Sequence, residues 1–264
     1  MKTSFQFILF NLSLSLLVAC GAKKGEITDD QIKIQHNEKT NQTDTIFANT
    51  IKGNLSFSQI ASKPHTVVLT GLAEHRLVTI YRNQVVLKSE NDYSFSKRSY
   101  DDTGSYQREY EEHYMPGIDL IYGYNLLNIA HYDFTTEKLN FLFDRPVLVK
   151  SLYYPSFVQD SLYKKPINRN YFLVSVYDTD TNQDTLISRN DLRRFYYFNA
   201  TCSERIQLVP AEYSAERSEY DPKNDVMYVF ARLDTNKNGV TEKKEPLHIF
   251  WFSLKQPEKA KRLY

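Results

Sequence analysis

Residues 172–198 read FLVSVYDTDTNQDTLISRNDLRRFYYF, and residues 226–252 read VMYVFARLDTNKNGVTEKKEPLHIFWF. The two stretches lie 54 positions apart and align without a gap. Phe172 to Asp180 stands over Val226 to Asp234, and Phe195-Tyr-Tyr-Phe198 over Ile249-Phe-Trp-Phe252. Each copy opens and closes on β-branched and aromatic residues, which favour a pleated, half-buried backbone. Between these arms lies a segment of Asp, Asn, Ser and Thr, the residues that bend a chain. Each copy therefore reads as strand, long polar loop, strand. Similar runs occur elsewhere: TVVLTGL (66–72), RLVTIYR (76–82) and LLNIAHYDFTTEKLNFLF (126–143). Helical periodicity is nearly absent, so a mainly β domain is expected.

The polar loops have their own pattern. Residues 180–191 (DTNQDTLISRND) and 234–245 (DTNKNGVTEKKE) place oxygen donors at positions 1, 3, 5, 7, 9 and 12. In the first these are Asp180, Asn182, Asp184, Leu186 through its carbonyl, Ser188 and Asp191. In the second they are Asp234, Asn236, Asn238, Val240 through its carbonyl, Glu242 and Glu245. That spacing resembles the calcium loop of EF-hand proteins, where alternate side chains turn inward on a hard cation. The resemblance implies one or two Ca²⁺ ions. Three departures matter: Thr185 stands where the pattern has glycine, Asp191 where it has glutamate, a side chain expected to fall short of bidentate contact, and Thr241 where it has an apolar residue. The flanks are strands and not helices, so a structural ion at a hairpin tip is expected, with no opening of a helix pair. Asp, Asn and Gly also make good turns without any metal.

A period of 54 residues built from short strands resembles the blades of TolB-like and WD40-like β-propellers. That resemblance implies propeller-like repeats at 171–224 and 225–264, with residues 45–60 (TIFANTIKGNLSFSQI) completing the last unit. The alternative is a β-sandwich with a duplicated hairpin. No WD dipeptide or SPDG signature is present.

The chain begins MKTSFQFILFNLSLSLLVAC, a short basic start, an apolar run and then Leu17-Val18-Ala19-Cys20-Gly21. The last five residues resemble the lipobox of bacterial lipoproteins. The resemblance implies a signal peptide over 1–19, lipidation of Cys20 with palmitate-type acyl chains, and a protein held in the bacterial cell envelope, facing the periplasm or the cell surface. Residues 20–45 are charged and polar and read as a flexible tether. The β domain is then expected over 46–264.

The charge balance is near zero, with 33 basic and 32 acidic residues. No basic patch forms, so nucleic acid is not an expected partner. Only Cys20 and Cys202 are present, so no disulfide framework is expected once Cys20 carries lipid. No nucleophile motif, no paired-cysteine motif and no glycine-rich phosphate loop appears, and Glu111-Glu112-His113 lacks a visible partner. The histidines at 131 and 248 lie in strand-like runs and read as structural. Residues 90–117 carry Tyr93, Tyr100, Tyr106, Tyr110 and Tyr114 among mixed charges, a candidate loop for a protein or glycan ligand. The expected role is a binding or assembly module, leaning away from catalysis. A glycan-active propeller enzyme and a purely structural envelope component are the alternatives.

Overall fold

The computed structural model of the chain describes residues 31–33, 62–82 and 115–264. Every regular element among them is a β-strand. The first six are β1 (Ile32–Lys33), β2 (Ser62–Leu69), β3 (His75–Arg82), β4 (Ile118–Asp133), β5 (Lys138–Phe141) and β6 (Leu148–Pro155). Next come β7 (Asp160–Leu162), β8 (Lys165–Ile167), β9 (Tyr171–Tyr177), β10 (Leu186–Ile187), β11 (Arg194–Asn199) and β12 (Arg205–Gln207). The last four are β13 (Tyr213–Asp221), β14 (Val226–Leu233), β15 (Leu247–Ser253) and β16 (Lys261–Arg262). The mainly β expectation is therefore met.

Two antiparallel meanders make the body. The first has the order β12-β11-β9-β6-β4-β3-β2, with β5 also pairing β4. The second has the order β13-β14-β15-β16. Alternation explains how they pack, because successive side chains on a strand face opposite ways. All seven residues of β9 are buried. Its Phe172, Val174 and Val176 enter one apolar cluster with Leu77, Ile129, Leu152 and Phe198. Its Tyr171 and Leu173 enter another, which also takes Met227, Val229, Phe250 and Phe252 from the second sheet. Phe195 of β11 and Phe252 of β15 meet edge to face at 6.0 Å between ring centroids across that interface. Both faces of the central strands are thus covered, which accounts for the unbroken apolar runs in the sequence.

The propeller-like grouping is not seen among the described residues. Hydrogen bonding runs unbroken through seven strands of the first sheet, so the strands of that sheet do not divide into four-stranded blades. The two repeats are instead matching hairpins in two packed sheets, β9–β11 in one and β14–β15 in the other. The gapless alignment also needs correction. Phe195 pairs with Ser175, while Phe250, not Ile249, pairs with Val229. One extra residue follows Glu245, beside Pro246, and shifts the return strand by one. The shift keeps Phe250 and Phe252 on the core side, because a one-residue slip would turn the whole strand over. Residues 45–60 lie outside the described residues, and β15 is edged by β16.

Within the span expected to be a tether, Ile32 and Lys33 form β1 against β10. Ile32 is buried with Leu127, Leu148, Tyr177 and Ile187. The alternation in QIKIQ (31–35) is the sequence signal for this strand.

A buried ion pair joins the sheets. Arg169, just before β9, donates Nη1 and Nη2 to Asp225 at 3.0 and 2.7 Å. Its Nη1 also donates to the Leu254 carbonyl at 2.6 Å, and its Nε to the Pro116 carbonyl at 3.2 Å. Burial works against the guanidinium charge, yet the Asp225 carboxylate together with Tyr171 and Tyr220 more than offsets it and holds the Arg169 pKa above its ordinary value. Cys202 is half-buried, and burial pushes its thiol pKa well up, which makes it a poor nucleophile.

Candidate functional site

The two polar loops connect β9 to β11 and β14 to β15, and their hydrogen bonds match position for position. At position 1, Asp180 accepts the backbone N–H of Asp184 at 3.2 Å and of Thr185 at 2.9 Å. Asp234 accepts those of Asn238 at 3.2 Å and Gly239 at 2.9 Å. At position 3, Asn182 Oδ1 takes the Asp184 N–H at 3.1 Å, and Asn236 Oδ1 takes the Asn238 N–H at 3.0 Å. At position 5, Asp184 Oδ1 takes the Leu186 N–H at 2.8 Å, and Asn238 Oδ1 takes the Val240 N–H at 2.9 Å. The side chains at positions 3 and 5 thus fold back on the amide two residues ahead, and that at position 1 on the amides four and five ahead, the local bonding that makes Asp and Asn turn formers.

Position 12 closes each loop. Asp191 accepts the Thr181 N–H at 2.7 Å on Oδ1 and the Ser188 N–H at 2.8 Å on Oδ2. Glu245 accepts the Thr235 N–H at 2.8 Å on Oε1 and the Glu242 N–H at 2.9 Å on Oε2. Despite its shorter side chain, Asp191 spans the loop as Glu245 does. Both of its oxygens reach the same two amides that the longer glutamate reaches. Both carboxylates are buried, at 2% and 5% exposure. Their environments differ in balance. Burial dominates at Asp191 and raises its pKa, whereas the Glu242 amide leads the donors that lower that of Glu245.

Backbone geometry repeats as well. Positions 4 and 6 take left-handed conformations in both loops, with φ of 60° at Gln183, 70° at Thr185, 56° at Lys237 and 76° at Gly239. Glycine adopts that conformation freely, and a β-branched threonine does so under strain. The loops also touch each other. Thr181 Oγ1 donates to the Gly239 carbonyl at 2.6 Å and accepts the Leu192 N–H at 2.9 Å. A Cβ at position 239 would fall 1.9 Å from the Thr181 carbonyl oxygen, so only glycine allows this approach.

Sequence reasoning missed the threonines at position 2. Thr235 gives its closing carboxylate a hydroxyl as well as an amide, at 2.9 Å, while the Thr181 hydroxyl, whose proton goes to the Gly239 carbonyl, lies 3.2 Å from Asp191. The signal was the tripeptide Asp-Thr-Asn, identical at the head of both loops.

Oxygen is the only donor type at the six positions of each loop, and the side-chain oxygens at positions 1, 3 and 5, with Asp191 Oδ2 and Glu245 Oε2, retain a further lone pair. That donor chemistry fits a hard cation such as Ca²⁺ and disfavours a soft metal. Among the described residues no group of three or more His, Cys, Asp or Glu side chains is gathered for a metal. At position 9, Glu242 pairs with Lys244 at 2.7 Å on the surface, while the Ser188 hydroxyl accepts the Asn190 N–H at 3.1 Å.

The remaining candidates separate. His131 Nε2 lies 3.1 Å from His75 Nδ1, and burial, followed by the charge of His75, lowers the His131 pKa. His248 is held by the Tyr213 hydroxyl at 2.8 Å and by Arg262 at 3.0 Å, a structural setting. Cys20, the Glu111-Glu112-His113 trio and Tyr93, Tyr100, Tyr106, Tyr110 and Tyr114 lie outside the described residues. No protein-family model matches the chain, and no curated protein matches it.

Proposed function

We propose that the body of this chain is a calcium-stabilised β module of a lipid-anchored envelope protein, serving binding or assembly. One observation carries the calcium reading. Two loops 54 positions apart share the same donor positions, the same back-bonded amides and the same left-handed residues. Turn formation alone does not require the position-12 carboxylate to be repeated, buried and bonded to positions 2 and 9. Asp180, Asn182, Asp184, the Leu186 carbonyl, Ser188 and Asp191 would hold one ion. Asp234, Asn236, Asn238, the Val240 carbonyl, Glu242 and Glu245 would hold the other. A bound ion supplies positive charge against which these oxygens are satisfied at once, fixing two hairpin tips against each other. Anchorage through Cys20 rests on the lipobox-like LVAC alone.

Extracellular modules bind calcium with dissociation constants on the order of 10⁻⁴–10⁻³ M. At a free concentration of about 10 mM, one such site stabilises the fold by roughly 1.4–2.7 kcal/mol through mass action. The test is thermal melting in calcium against chelator, for the parent chain and for Glu245→Gln and Asp191→Asn. Calcium should raise the melting temperature by roughly 3–10 °C per site, and each substitution should remove its share. A melting temperature indifferent to calcium and to both substitutions refutes the proposal.

A further inference from the structure

We infer that β1 is a clip whose docking follows the state of the first loop, so that calcium sets how far the N-terminal segment is held from the body. The inference rests on the calcium reading above, and its consequence for an anchored protein rests on the lipid reading.

The clip closes on the loop itself. Ile32 pairs with Ile187 and Lys33 with Leu186, and those partners are positions 8 and 7 of the first loop. Ile32 fills an apolar cluster with Leu127, Leu148, Tyr177 and Ile187, and Arg82 donates to the Gln31 carbonyl. The attachment is small: one buried isoleucine and a two-residue pairing are set against the ordering of three residues. Docked and undocked forms therefore lie near balance. Whatever holds positions 7 and 8 extended supplies the edge on which β1 pairs. Position 7 is also the position whose carbonyl an ion would take, so ion and clip act on the same backbone. Among the described residues, the matching Val240 and Thr241 of the second loop belong to no strand, so the device is confined to the first loop.

The consequence is a change of reach. Ten residues, 21–30, separate Cys20 from Gln31, and 41 residues, 21–61, separate it from β2. Docking therefore sets the attachment after the ten residues that follow Cys20, and release moves it to β2. Calcium would hold the body close to its anchor, and its loss would let the body range outward.

The test is hydrogen exchange by mass spectrometry on the full chain in detergent micelles, with and without millimolar calcium. Calcium binding is read in parallel by calorimetry. Calcium should slow exchange at residues 31–33 and 186–187 by about fivefold or more. Ile32→Asp should abolish that protection, and by reciprocity should weaken the first loop's calcium affinity by the same factor while sparing the second. Unchanged exchange in β9 and β11 shows that the variant folds; Lys33→Pro is the second variant, breaking the pairing and leaving the apolar cluster intact. If calcium binds and exchange at 31–33 ignores it, the clip is refuted and the calcium reading stands. If no calcium binds, the calcium reading itself fails, and the clip falls with it.

Discussion

Removing the Asp225 carboxylate should unfasten the two sheets. Arg169 and Asp225 side chains are each 1% exposed and meet at 2.7 Å. Asp225 also receives the Tyr220 hydroxyl at 3.2 Å, and the Leu254 carbonyl beside it takes the Tyr171 hydroxyl at 2.7 Å. In Asp225→Ala the guanidinium stays buried with its charge uncompensated, retaining the Pro116 and Leu254 carbonyls. Breaking a buried pair from one side costs about 3–5 kcal/mol. For a domain of this size that lowers the melting temperature by roughly 6–20 °C. Replacing both partners, Arg169→Met with Asp225→Leu, removes the isolated charge and should cost clearly less than the two single substitutions combined. Urea unfolding of parent, singles and double closes the cycle. A loss below about 1 kcal/mol for Asp225→Ala, or strict additivity in the double, would refute the view that this pair fastens the sheets.

Thr185→Gly should stabilise the chain by about 1 kcal/mol, because it relieves a left-handed threonine at φ 70°; a lowered melting temperature would count against the strain. Gly239→Ala should do the opposite and strongly, since its Cβ meets the Thr181 carbonyl oxygen at 1.9 Å. An unchanged melt would show that the loops do not touch. Acid should weaken the fold through His131, whose pKa burial and then His75 lower from 6.5. Below pH 6.5 the unfolded imidazole takes up a proton that the folded one resists. Stability therefore falls from there down to the folded pKa, by up to about 1.4 kcal/mol per pH unit. His131→Gln should flatten that slope, and an unaltered slope would assign it to other groups.

Strand content was legible because aromatic and β-branched runs with buried alternation have few other uses. The loops were legible because ligand-like spacing occurs twice. Sheet membership was not legible for a physical reason: a 54-residue period records a duplicated hairpin, not the sheet each copy joins. Which sheet takes a hairpin depends on long-range pairing, such as Leu173 with Tyr153 on β6, and periodicity does not contain that information. The slip after Glu245 was hidden because Ile249 and Phe250 are both apolar, so either could face the core. Side-chain length at position 12 was legible, but not the loop backbone, which brings the Thr181 and Ser188 amides to Asp191. Ile32 was overlooked because a two-residue strand between charged neighbours gives composition almost nothing to register.

The most direct measurement is a crystal structure of the chain grown in calcium. Two ions are expected, one per loop, each ringed by side-chain and carbonyl oxygens at about 2.3–2.6 Å. One should be held by Asp180, Asn182, Asp184, Leu186 and Asp191, the other by Asp234, Asn236, Asn238, Val240 and Glu245. The same fold with no ion in either loop, its carboxylates bonded only to groups of the chain itself, would contradict the calcium reading.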